Sequence, residues 1–266
     1  MPSSLSYFLS QSLADISYFF YKDAVRAVKG NLSLAFPDYD ERRLASMARE
    51  TFRNYSKYLV DYARFTHLPR PEVIKKIVEF EGRETFEGVL RKNKGLILLT
   101  AHLGNWELGG IFFGSLGLKV NVVTLQDQNM EIDDFRTWYR ENYNVRTVTI
   151  GNSPFSSVEL LAAIGRGETV AMLIDRCDSR QDHLVVDFFG KPTCFPRGPL
   201  ILARLTGAPL AVAFVVHSGG GYKGYFEEPI TVGSDGDEKQ ALNQIVKLLE
   251  KYIISYPTQW YNFVPI

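Results

Sequence analysis

The first 76 residues place apolar side chains three and four apart, whereas residues 77–266 place them in short continuous runs separated by helical stretches. In the first region Phe8, Leu9, Leu13, Ile16, Phe19 and Phe20 recur as one face of a helix predicted over residues 3–29, with Lys22, Arg26 and Lys29 on its later turns. The segment 31–37, NLSLAFP, breaks this pattern. A second helix is predicted over 41–65, with Leu44, Met47, Phe52, Tyr55, Leu59, Val60 and Ala63 at helical spacing and Asp38 or Asp40 as its N-cap. The two form a helical hairpin, and 1–76 is taken as an N-terminal amphipathic helical segment.

From residue 77 the pattern alternates. Strands are predicted at 77–80, 95–100, 120–125, 145–150 and 169–174, with helices at 84–91, 106–116, 133–143 and 158–166 between them. Several strands are unbroken apolar runs, as expected when both faces are buried. Further strands fall at 184–189, 210–216 and 222–228, with helices near 199–205 and over 238–255. This order predicts one α/β domain over 77–266 with a largely parallel central sheet flanked by helices. The run GGGYKG, 219–224, formally fits a dinucleotide-binding glycine pattern, but it lies between two strands and predicts a hairpin turn.

Charge changes the picture only locally. The whole chain has 30 basic and 30 acidic residues, which excludes the basic surplus of a nucleic-acid binder. Residues 1–76 hold 12 Lys and Arg against 8 Asp and Glu. Beside an aromatic-rich amphipathic helix, that surplus could seat the protein on anionic lipid; the same helices could instead pack on the main domain with a solvated polar face. No run of about 18 uncharged apolar residues occurs, so no spanning helix is predicted, and the start of the chain lacks the features of a signal peptide. Cys177 and Cys194 are too few and too isolated for a disulfide scaffold or a zinc site, and they predict free thiols in a reducing compartment.

The candidate chemistry lies in GLILLTAHLGNWELGG, residues 95–110. A buried strand ends at Ala101, His102 follows, and a helix begins after Asn105, a strong N-cap. Gly104 frees the backbone for the turn between them. Open α/β sheets bind ligands beyond the carboxyl ends of their strands, where His102 falls. A neutral imidazole there can take the proton of an attacking hydroxyl. Glu107, in the first turn of the helix, is expected to reach that imidazole, fix its tautomer and stabilise the imidazolium. There is no nucleophile elbow, Walker A loop, zinc-protease motif or His/Cys ligand cluster, so no metal and no cofactor are predicted. His67, His183 and His217 read as structural or exposed, although His183 could meet an anionic substrate. Arg176, Arg180, Lys191 and Arg197 could bind carrier or headgroup phosphates or could line a solvated loop.

HLGNWE resembles the H-x4-E block of the bacterial lipid A biosynthesis acyltransferases, which belong with the lysophospholipid acyltransferase superfamily and have mycobacterial phosphatidylinositol mannoside acyltransferases as relatives. Three more blocks are similar to that family in the same order: VKGNLSLAFPDYDERRLASMARETFRNY, DFFGKPTCFPRGPLILARLTGAP at 187–209, and YPTQW at 256–260. The resemblance implies a glycerol-3-phosphate acyltransferase-like α/β fold and an acyl transfer from a thioester, on acyl carrier protein or coenzyme A, to a glycolipid hydroxyl. It further implies a peripheral or monotopic position on the cytoplasmic face of the inner membrane. Carried over residue by residue, it gives His102 and Glu107 the roles of base and partner. Asn105, Asn129, Arg140 and Asp175 become substrate-side residues. Phe188, Phe189 and Gly190 form an acceptor-side loop, and Gly198 the start of the following helix. Departures fall at TLQDQN, where a basic residue is usual before the Asn, and at Arg176, where Gln is common. A lipid A precursor, a mannosylated glycolipid or another polar lipid remain open as acceptor, and a non-catalytic lipid-binding protein remains the other class. Retention of both His102 and Glu107 favours the enzyme.

Overall fold

The computed structural model describes residues 3–92, 94–125, 130–151, 155–177, 182–233 and 238–266. Its first elements are helices α1 (Ser3–Phe20), α2 (Lys22–Ala35), α3 (Glu41–Phe65) and α4 (Arg70–Ile74). The helix expected over 3–29 is therefore two, bent at Tyr21. Both halves fold back onto α3, which one straight helix cannot do. On α1, the Tyr7 hydroxyl donates to Asp61 and the Tyr18 hydroxyl to the Ala45 carbonyl, so the two helices run antiparallel. On α2, Val28 and Leu32 pack with Leu44, Ala48 and Phe52 of α3.

NLSLAFP does not break the helix where its composition suggests. Asn31 is buried, and its amide donates to the carbonyls of Asn262 and Val264. Engaged at a distance, that side chain no longer competes for the local backbone, and α2 continues to Ala35. Helix α3 begins as expected, with Asp40 accepting from the Arg43 N–H at 2.7 Å.

The α/β domain adds β1 (Ile77–Glu81), α5 (Arg83–Arg91), β2 (Leu96–Thr100), α6 (Trp106–Ser115), β3 (Val120–Leu125), α7 (Met130–Glu141), β4 (Val145–Ile150), α8 (Phe155–Gly165) and β5 (Thr169–Leu173). After these come β6 (His183–Phe188), β7 (Lys191–Pro196), α9 (Gly198–Thr206), β8 (Leu210–Ser218), β9 (Gly221–Phe226) and α10 (Glu238–Ser255). Seven strands form the central sheet in the order β1-β9-β8-β2-β5-β3-β4. Every pairing in it is parallel except β8 with β9, the hairpin that GGGYKG turns. The mostly parallel α/β architecture is thus as the sequence predicts.

Alternation along β2 shows how the layers assemble. Ile97 and Leu99 enter a core with α8, α9 and α10, while Leu96 and Leu98 enter a second core with α5, α6 and α7 on the opposite face. β6 and β7 form a separate antiparallel hairpin whose second strand the sequence pattern did not reveal. Its two-residue turn, Phe189 at φ 51° and Gly190 at φ 77°, has the left-handed backbone that such a turn requires.

Candidate active site

His102 stands two residues past Thr100, the last residue of β2. Thr100 pairs with Leu173 of β5, so the chain positions two residues beyond each strand, His102 and Asp175, come together. His102 Nδ1 lies 2.7 Å from Asp175 Oδ1. The His102 main-chain N–H donates to both oxygens of the same carboxylate at 3.1 Å, and Trp260 Nε1–H donates to Oδ2 at 3.0 Å. Burial alone would raise the Asp175 carboxyl, but the charge and hydrogen bonds of His102, with Trp260 and Arg176, hold it below its ordinary value. An ionised Asp175 keeps the imidazole proton on Nδ1 and leaves Nε2 with its lone pair.

The backbone around the imidazole is fixed on both sides. Tyr261 N–H donates to the His102 carbonyl at 2.6 Å, and Asn105 N–H donates to the Val215 carbonyl at 2.6 Å. Gly104 between them has φ 67°, and a Cβ there would meet the Val215 oxygen at 2.1 Å. Only glycine fits this turn. Asn105 caps α6 as expected, its side chain accepting from Leu108 N–H at 2.9 Å and donating to the Tyr222 hydroxyl at 3.3 Å.

Glu107 does not take the place expected of it. Both of its oxygens are held by Arg140 of α7, at 3.0 Å from Nε and 2.5 Å from Nη2, and no hydrogen bond joins Glu107 to His102 among the described residues. The physical reason is the cap: with Asn105 closing the helix end, Glu107 falls in the first turn of α6 and points to α7, which supplies a buried cation. Burial would lower the Arg140 guanidinium, but the charge and hydrogen bonds of Glu107 outweigh it and raise it. Arg140 also donates to Thr147 at 3.2 Å. Glu107 lies only five positions after His102, yet the imidazole's carboxylate comes from 73 positions away.

His102, Glu107 and Arg140 line a groove of about 1130 Å³. Typical small-ligand pockets span roughly 300–1,000 Å³, so there is room for a long chain. Its walls are largely apolar, with Leu59, Val123, Phe135, Leu160, Met172 and Leu202 among them. Tyr55, Tyr58 and Tyr62 form a stacked aromatic edge along α3, and Trp106 stacks on Tyr58 at 4.8 Å.

The remaining site residues predicted from sequence divide. Gly198, at the start of α9, lines the groove. Phe188 does not: it is fully buried in the core against Phe195 and Trp260, because alternation along β6 turns Val186 and Phe188 inward. Phe189 and Gly190 make the hairpin turn, with their N–H groups donating to Glu250 and Asp187, and neither lines the groove. Asn129 lies outside the described residues, as does Arg180. Sequence reasoning missed Trp260 as a donor to Asp175, although YPTQW was among the resembling blocks. It also missed Arg136 and Tyr55 in the groove wall.

The site is thus a buried carboxylate behind an imidazole, at the carboxyl edge of the mostly parallel sheet of an α/β protein and beside a largely apolar groove. The family described as bacterial lipid A biosynthesis acyltransferase matches residues 1–265, and the chain belongs to that family. It is an acyltransferase. Among curated relatives, it is 25% identical over 265 residues to the lipid A biosynthesis palmitoleoyltransferase of Escherichia coli, covering 98% of this chain and 84% of that protein. The lipid A biosynthesis lauroyltransferase of Escherichia coli is 25% identical over 264 residues, with the same coverage. The phosphatidylinositol mannoside acyltransferase of Mycobacterium tuberculosis is 22% identical over 223 residues, 81% of this chain and 68% of that protein.

Proposed function

We propose that this protein moves a fatty acyl chain from an acyl thioester, on acyl carrier protein or coenzyme A, to a hydroxyl of a lipid A precursor or related glycolipid at a membrane surface. The observation that carries this reading is the His102–Asp175 pair opening on the apolar groove. His102 Nε2 takes the proton of the acceptor hydroxyl as its oxygen bonds to the thioester carbonyl carbon. Asp175 steadies the imidazolium, and the Arg140 N–H groups not used by Glu107 and Thr147 favour the developing oxyanion. Collapse breaks the carbon–sulfur bond, and the departing thiolate takes the proton back from His102. Glu107 serves by holding Arg140 in the groove wall.

The test is mass spectrometry of a lipid A precursor and of a phosphatidylinositol mannoside after incubation with the protein and either acyl donor. One acceptor is expected to gain the mass of one acyl group. No gain on either acceptor with either donor overturns the reading.

Helix α1 supports the membrane part. Phe8, Leu13, Ile16, Phe19 and Phe20 are between 55% and 78% exposed along one face, while Asp15 is turned inward to Arg49 and Arg53. No helix among the described residues is long and apolar enough to cross a membrane. An apolar helix face beside a basic segment suits attachment in the plane of the interface. The protein is expected to sediment with anionic vesicles at low salt. Phe8→Glu with Phe19→Glu should weaken that binding at least tenfold, since each buried Phe contributes roughly 1.5–3 kcal/mol. Sedimentation unchanged in the double variant would remove α1 as the attachment face.

A further inference from the structure

We propose that Asp61 is a positioning residue for acyl transfer, the centre of a buried hydrogen-bond relay that ties helix α1, through Tyr222 and Asn105, to the turn carrying His102. The inference rests on the acyl-transfer reading of that imidazole and brings in a buried carboxylate that the mechanism above does not use. Asp61 lies near the end of α3 and is 3% exposed. Its Oδ1 accepts from the Tyr7 hydroxyl of α1 at 2.5 Å, and its Oδ2 accepts from the Tyr222 hydroxyl of β9 at 2.5 Å. The Tyr222 oxygen in turn accepts from Asn105 Nδ2 at 3.3 Å. Asn105 caps α6 and stands three positions after His102.

Every proton in this relay has a fixed direction. The Asn105 side-chain oxygen is committed to Leu108 N–H at 2.9 Å, so its NH2 is the group that faces Tyr222. Burial and the neighbouring Asp61 push the Tyr222 hydroxyl well up, and they do the same to Tyr7. Both tyrosines therefore keep their protons and donate them to the carboxylate. The Tyr222 oxygen is left with a lone pair for Asn105, and hydrogen bonds linked in this way strengthen one another.

Packing alone does not fix this corner. A cavity of about 30 Å³ lies against the turn, with Gly104, Asn105, Tyr58 and Tyr222 in its wall. Side chains beside a void lose contacts on that side, so the Asn105 amide takes its position from its hydrogen bonds. Apolar side chains of the same shape would join α1, α3 and β9 at nearly the same stability. What the carboxylate adds is direction. A turn held at Asn105 is held at His102, and a displacement of about 1 Å in a reacting group costs roughly 10²-fold in rate.

Kinetics and NMR test the relay. Below the unfolding temperature of each variant, Asp61→Asn and Tyr222→Phe are each expected to lower kcat roughly tenfold, with KM within about threefold. Because both cut one relay, the double variant should be no slower than the slower single. Tyr7→Phe cuts only the α1 end and should lower kcat about threefold. An unchanged kcat in the folded single variants, or losses that multiply in the double, overturns the relay. Tyr7→Phe at the wild-type rate overturns its extension to α1. The second measurement needs neither donor nor acceptor. In protein carrying isotope-labelled histidine, the His102 Nδ1–H that faces Asp175 gives a downfield proton resonance. Asp61→Asn and Tyr222→Phe should shift or broaden it while the His183 ring signals stay in place. A His102 resonance identical in the wild type and both variants overturns the relay. A response of that resonance in a protein that transfers no acyl group to any lipid leaves the relay standing and sinks the acyl-transfer reading.

Discussion

His102→Ala is expected to lower kcat for acyl transfer by roughly a thousandfold while the protein remains folded, as measured by thioester consumption and by thermal unfolding. The size follows from the chemistry. A positioned base that removes the hydroxyl proton in the transition state contributes about 10²–10⁴-fold, and no other described imidazole lines the groove. The fold should survive because the contacts that shape the turn are made by the backbone. Tyr261 and Asn105 bond to main-chain groups on either side, and the His102 N–H itself bonds to both Asp175 oxygens. Alanine keeps all of these. What is lost is the bond to Asp175 from the ring, and Asp175 retains the backbone N–H and Trp260 as donors, so the cost should stay near 1–3 kcal/mol. Acyl transfer at wild-type rate by a folded His102→Ala protein would remove the imidazole from the mechanism.

The placement of His102 was legible in the sequence, and its partner was not. A continuous apolar strand, a glycine and an N-capping Asn are local signals, and they put the imidazole at the sheet's carboxyl edge and began α6 where it begins. The link from His102 to Asp175 depends on which strand lies beside β2, and strand adjacency is set by the whole α/β winding. A weaker signal was present: β2 and β5 are both buried runs followed, two residues on, by a polar residue in a loop. If those strands are neighbours in register, His102 and Asp175 must meet, as the pairing of Thr100 with Leu173 makes them do. Spacing within one segment instead favoured Glu107, because five residues look close on paper. The same limit explains NLSLAFP, where the Asn31 amide is claimed by the C-terminal segment more than 200 positions away. Phe188 failed for a different reason: a short alternating strand does not say which of its faces meets the core until β7 is paired with it.

Asp175→Asn and Glu107→Gln should therefore separate in kinetics and in stability. Asp175 accepts four N–H bonds, two from the His102 backbone N–H, one from the ring and one from Trp260. An amide has only one oxygen, so its NH2 must face at least one of these donors, and the imidazole loses the anion that fixes its proton on Nδ1. The expected loss in kcat is roughly 10³–10⁴-fold. Glu107→Gln leaves that pair untouched and strikes the buried Arg140 instead. Removing one charge of a buried ion pair costs about 3–5 kcal/mol, which for a chain of this size lowers Tm by on the order of 10 °C. Below that temperature Glu107→Gln should retain kcat within about tenfold of wild type. Adding Arg140→Met should recover part of the lost stability, because the uncompensated buried charge goes with it. The geometry makes Asp175 the partner of the imidazole and Glu107 the partner of Arg140 on α7. A Glu107→Gln protein as thermally stable as wild type, yet as slow as Asp175→Asn, would reverse that assignment and return Glu107 to the imidazole in the working state.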